Sequence, residues 1–230
     1  MNFMEPIAWY VAFLFSATVH EAAHAWAAKM GGDPTAYEGG QLTLDPVPHI
    51  KWEPLGMVLL PIVSSFIIGW PFGYASAPYD PYWAARHPHK AAWMALAGPA
   101  ANFAIVILTV AIAWAGILLG FFQIPDYVFY TNIVDSLSTG LSSSFVYILS
   151  IFFTLNLIMT ILNLIPLPPL DGSAVITLFM SKEKAASTKA MLNNPSFGFI
   201  GLFIVWKVFG PVFDAFFTLV MSLIYPGYYS

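Results

Sequence analysis

The feature that most restricts what this chain can fold into is a recurrence of apolar runs of 18 residues or more. Each is long enough to cross about 30 Å of hydrocarbon as a helix. Hydrocarbon offers no water to backbone N–H and C=O groups, so runs of this kind close their hydrogen bonds internally, as helices. Only 9% of the 230 residues are charged and 59% are hydrophobic, against about 25% charged in an ordinary soluble domain. The sequence therefore predicts an all-α polytopic membrane protein with about four to six transmembrane helices, in a single membrane-embedded domain over residues 1–230.

The clearest spans are residues 7–28, 92–120 and 145–164. A last stretch, 197–225, carries Gly210-Pro211, Lys207 and Asp214, and reads either as one kinked pass or as two shorter pieces. The first span lacks a positively charged leader and a cleavage site, and is expected to be retained. A net charge of −4 gives no basic surface for nucleic acid. The absence of cysteine excludes disulfides, thiolate metal sites and cysteine nucleophiles, so any metal must sit on His, Asp or Glu.

Residues 55–70 are also apolar, and charge decides how to read them. The cations are Lys29, Lys51, Arg86, Lys90, Lys182, Lys184, Lys189 and Lys207. A full crossing by 55–70 would put the loop 121–144, which has no Lys or Arg, in the cytoplasm and reverse the positive-inside pattern. If 55–70 enters and returns, every cation outside the spans, all but Lys207, lies on one side. The expectation is a re-entrant helix after the first span, with the extended-looking residues 72–79 as its returning arm. A full crossing is the alternative.

Within the first span stands His20-Glu21-Ala22-Ala23-His24. Four residues make just over one helical turn, so both imidazoles share a face. Two nitrogens so placed suit zinc, and the intervening Glu reaches a water at the ion as general base. Counted at 1.5 Å per residue, His20 lies roughly 20 Å along a 30 Å crossing. Ionisable groups at that depth are costly and point to function, the alternative being a hydrogen-bonded cluster that joins helices. For a third ligand, His49, His87 and His89 lie in polar-looking loops and read as ordinary interfacial histidines. Asp171 is the better candidate. Pro166, Pro168 and Pro169 stop the preceding helix and extend the chain, and Gly172 then permits a tight turn. A re-entrant 55–70 brings the ends bearing His24 and Asp171 to the same side, and a full crossing separates them.

Taken together, these residues resemble the site-2 protease family of intramembrane zinc metalloproteases. Three motifs occur in family order: His20-Glu21-x-x-His24, then Gly98-Pro99-Ala100-Ala101-Asn102, then Asn163-x-x-Pro166-x-Pro168-x-Leu170-Asp171-Gly172. They bracket about two-thirds of the chain. The resemblance implies one zinc ion on His20, His24 and Asp171, and Glu21 as catalytic base. It implies membrane-anchored protein substrates cleaved within or next to their transmembrane segments, at a site facing the cytoplasm. It also implies an extended edge that receives unwound substrate, for which residues 39–44 and 72–79 are the candidates. Asn102 and Asn163 could donate to the oxyanion or hold the substrate backbone, or could equally join helices. The chain is similar to the compact branch without PDZ or CBS domains, and a prokaryotic plasma membrane is the expected location. The alternative is a catalytically silent metal-binding scaffold, for which Glu21 would have no use. A transporter is disfavoured because the later spans lack a series of acidic or His residues.

Overall fold

A computed structural model describes residues 4–192 and 195–227. Helix α1 (Met4–Gly31) is followed by two short helices, α2 (Thr35–Glu38) and α3 (Pro46–Trp52). Asp45 caps α3, accepting from the Val47 amide, with Pro46 in the first turn. The chain then turns by 116° into a π-helical turn, Leu55–Leu59, that leads into α4 (Leu60–Ile68). Gly69, left-handed at φ 79°, ends α4. An arm without regular secondary structure, residues 71–80, leads back to α5 (Pro81–Arg86) and the long α6 (Pro88–Leu118).

This excursion begins and ends at the same end of α1. Lys90 Nζ and Trp83 Nε1 both donate to the Gly31 carbonyl, at 2.9 and 3.2 Å. The buried Asp33 accepts from the Asp80 amide at 2.8 Å. Residues 32–87 thus leave one end of α1 and return to it, a path compatible with the re-entrant expectation. Its returning arm is fixed where the Tyr74 amide donates to the Gly56 carbonyl at 3.1 Å.

From α6 the chain passes through a small antiparallel pair, β1 (Phe122–Gln123) with β2 (Asp135–Ser136), into α7 (Leu141–Leu164). Beyond α7 lie the proline-rich turn, α8 (Gly172–Val175) continuing into a 3₁₀ turn, α9 (Lys182–Leu192) and α10 (Pro195–Ile224). Three helices among the described residues are long and apolar enough to cross a bilayer, namely α6, α7 and residues 196–224 of α10; the bent pair of α3 with 55–68 would be a fourth only as a single broken span, and is otherwise a re-entrant loop. At 28 residues α1 has the length to cross, but it carries the ionisable motif within it. Its polar groups face protein, whereas Val11, Phe15 and Trp26 are exposed where lipid would lie.

Packing follows from small residues. Ala12, Ala17, Ala25 and Ala28 are essentially fully buried on α1 and let neighbouring helices approach closely. One apolar cluster joins α1, Met57 and α7 through Trp9, Phe13, Ile151 and Leu155; another joins α6, α7 and α10 through Val106, Phe153, Phe213 and Phe217. Helix α10 buries only a stripe, Val205, Phe213, Phe217, Met221 and Tyr225, and leaves its other faces exposed.

Of the two readings of residues 197–225, the single pass holds: one helix, α10, runs to Ile224 with Pro211 inside it. Two expectations are corrected. Residues 39–44 form turns and bends rather than an extended edge. His49 is not at a surface: it is 1% exposed.

Candidate metal centre

The two histidines converge because α1 carries them one turn apart against α6. His20 Nε2 and His24 Nε2 lie 3.0 Å apart, and Asp171 Oδ2 lies 3.1 Å from the first and 3.4 Å from the second. Three donors in one small triangle suit an ion. Nitrogen and oxygen ligands about 2.0–2.1 Å from a tetrahedral zinc stand about 3.3–3.4 Å from one another. Donor atoms of His20, Glu21 and His24 also group within 4.8 Å. Both sets share the histidines; Asp171 completes the tighter one. Glu21 is buried, and its Oε2 has no partner among the described residues. A buried carboxylate oxygen so left is expensive unless water, an ion or substrate meets it.

Helix α6 is shaped to this triangle. Met94, Gly98 and Asn102 follow at intervals of four and so share a face. Asn102 Oδ1 accepts from His20 Nδ1 at 2.5 Å, and the Met94 carbonyl accepts from His24 Nδ1 at 2.7 Å. Each bond fixes the tautomer whose Nε2 lone pair points into the triangle. Between them, a Cβ on Gly98 would stand 2.5 Å from Nε2 of both imidazoles. Pro99 has no N–H to give to the Ala95 carbonyl one turn before it.

Asn102 is itself held. Its Nδ2 donates to Asn156 Oδ1 at 2.8 Å and to the Ser16 carbonyl at 3.3 Å, while Asn156 Nδ2 donates to Ser16 Oγ at 2.9 Å. Ser16, Asn102 and Asn156 are all 0% exposed. This network ties α1, α6 and α7 beside the histidines. Asn163, in contrast, is half-buried with no side-chain partner among the described residues. His87 is exposed, and His89 donates from Nε2 to the Met180 carbonyl at 2.9 Å. Neither joins the triangle.

Sequence reasoning missed Ser16, Asn156 and the place of Gly98. The available signals were a polar residue one turn before His20, an amide in the middle of a span, and a glycine one turn before Asn102.

Fold and site together define a membrane-embedded protein whose helices converge on a metal-type His-His-Asp constellation with a free carboxylate beside it. Comparison with known proteins narrows the class. The profile of Peptidase family M50 matches residues 54–205, and the chain belongs to this family of proteases, the site-2 protease family. It is 29% identical over 228 residues to "Putative zinc metalloprotease YwhC" of Bacillus subtilis, covering 94% of this chain and 92% of that protein. It is 25% identical over 188 residues to "Putative zinc metalloprotease Rip2" of Mycolicibacterium smegmatis, covering 82% of this chain and 62% of that protein. No solved structure matches it significantly.

Proposed function

We propose that this protease is an intramembrane zinc endopeptidase that cleaves membrane-anchored proteins within or next to their transmembrane segments, at a site open to the cytoplasm. The observation that carries the reading is the triangle of His20, His24 and Asp171 donors, 3.0 to 3.4 Å on a side, beside the partnerless Glu21 carboxylate. One zinc ion would be held by those three residues. Bound there, zinc supplies Lewis acidity toward a peptide carbonyl and makes a neighbouring water more acidic. Glu21 takes the proton of the attacking water and delivers it to the departing amine as the C–N bond breaks. Asn102 acts on His20 as a positioning residue, whereas the unpartnered Asn163 is the better placed of the two amides to hold substrate or an oxyanion.

The substrate class follows from the location of the site. A peptide bond inside a helix is shielded by its own hydrogen bonds, so the substrate must unwind and be received by another backbone. The arm at 72–79, which forms no helix or strand of its own, is the segment we offer for reception by β-augmentation. A silent scaffold would leave the buried Glu21 carboxylate without a task.

Purified protein in detergent or liposomes is expected to hold about one zinc per chain and to cleave single-span test proteins. Glu21→Gln should abolish cleavage while keeping the metal. Equal turnover by Glu21→Gln would sink the mechanism, and retention of zinc by Asp171→Ala would remove that residue from the ligand set.

A further inference from the structure

Gly201 is buried in the second turn of α10. A Cβ built on it would stand 1.9 Å from the Pro168 carbonyl oxygen and 3.1 Å from the carbonyl carbon. Those distances differ by the length of a C=O bond, about 1.23 Å, so the carbonyl points head-on at the place a methyl group would fill. Leu167 Cβ is next, at 3.5 Å. Gly198 and Gly210, on the same helix, face nothing within 4 Å. Of these three glycines, only Gly201 brings the α10 backbone against the proline-rich turn.

The turn is also gripped from its other end. A Cβ on Gly172 would meet the Ile165 and Leu164 carbonyl oxygens at 2.3 and 2.4 Å. The chain leaving Asp171 thus folds back on the end of α7. Asp171 stands between the two grips, three residues after Pro168 and one before Gly172, and its Oδ2 closes the triangle with the histidines. Pro166, Pro168 and Pro169 have no N–H with which to tie the turn down. Close backbone contact takes the place of those bonds. Farther along, α10 is anchored in the bundle through Phe213, Phe217, Met221 and Tyr225.

We propose that Gly201 is a positioning residue for the metal centre: its bare backbone lets α10 seat the Pro168 carbonyl and so holds the turn from which Asp171 reaches the histidines. The inference rests on the proposed ligand set and adds to it a helix that supplies no ligand. A methyl group at 201 would force the two backbones apart by about 1 Å, several times the roughly 0.2 Å tolerance of a metal–ligand distance. Whether the turn yields or α10 backs away, Pro168 loses its seat.

The test compares Gly201→Ala, Gly198→Ala and Asp171→Ala in the full-length protein. Zinc affinity is read by chelator competition, and ligand geometry by the visible absorption of the cobalt-loaded form. Gly198→Ala gives α10 the same gain in helix propensity without the contact, and should match the parent. Gly201→Ala should lose affinity by about 10-fold or more, with its cobalt spectrum displaced toward that of Asp171→Ala. In the Asp171→Ala background the same substitution should change affinity by less than about 2-fold, since it acts only through that carboxylate. Equal losses in both backgrounds would mean a general loosening of the helices and overturn the positioning role.

If Gly201→Ala does not fold, Val205→Ala decides. Val205 is the next buried residue of the α10 stripe, 7% exposed, and its truncation adds no clash. It should cost at least about 2-fold in affinity, again only while Asp171 is present. Parental affinity in Gly201→Ala, or in Val205→Ala where that variant decides, overturns the inference and leaves the ligand set standing. Parental affinity in Asp171→Ala sinks the ligand set and the inference with it. Because metal is read rather than turnover, an absence of cleavage counts against the peptidase reading alone.

Discussion

Each histidine of the triangle is aimed by one bond from α6, and the glycine between those bonds keeps the space into which they aim. Gly98→Ala would place a methyl group 2.5 Å from both Nε2 atoms, and the imidazoles cannot retreat without leaving Asn102 and Met94. The expected outcome is zinc retention weakened at least about 10-fold in chelator competition, with the helical content intact. Asn102→Ala should weaken it by about 10- to 100-fold, and Asn156→Ala by less, since Asn156 acts on His20 only through Asn102. Equal losses for the two would show that the network stabilises helix contact rather than ligand orientation. His20, Glu21 and His24 were legible because they are contiguous on a single helix. Asp171 was legible because prolines and a glycine announce a break. Ser16 and Asn156 were not, because an amide in an apolar run shows its partner only after two helices have met. His49 misled for the converse reason: Asp45, Pro46 and Lys51 around it look like a surface loop, but the turn of the re-entrant unit folds the imidazole inward.

At the scale of elements, the helices were readable from length and hydropathy. The state of the last helix was not readable from Gly210-Pro211. In lipid a freed carbonyl has no water to turn to, so continuing the helix costs less than breaking it. Helix α9 forms from polar residues because Lys, Glu and Ala favour helix. The re-entrant unit depends on the close approach of two backbones. A Cβ on Gly56 would lie 2.2 Å from the Tyr74 carbonyl oxygen. Gly56→Ala should therefore dislodge the arm, at a cost of about 1–3 kcal/mol. The expected signs are a Tyr74 amide that exchanges with solvent at least about 10-fold faster and a fall in cleavage, with zinc content unchanged. An unaltered exchange rate would mean that the arm is held elsewhere.

For the whole molecule, the proposed orientation can be read directly because the chain has no cysteine. Ser138→Cys, in the loop between α6 and α7, should react with a membrane-impermeant maleimide in intact cells. Ser187→Cys, on α9, should react only after permeabilisation. The reverse pattern would overturn the cytoplasmic placement of the site. The triangle itself carries a consequence for the order of synthesis. His20 and Asp171 touch across 151 positions of sequence. A chain emerging from its N-terminus displays the paired histidines and Glu21 through most of its translation without the carboxylate that completes the ligand set. On the proposed ligand set, proteolytic competence would be withheld until α6 and α7 are both made. A ribosome halted before residue 171 leaves behind a harmless fragment rather than an unregulated blade beside the other nascent proteins of the membrane.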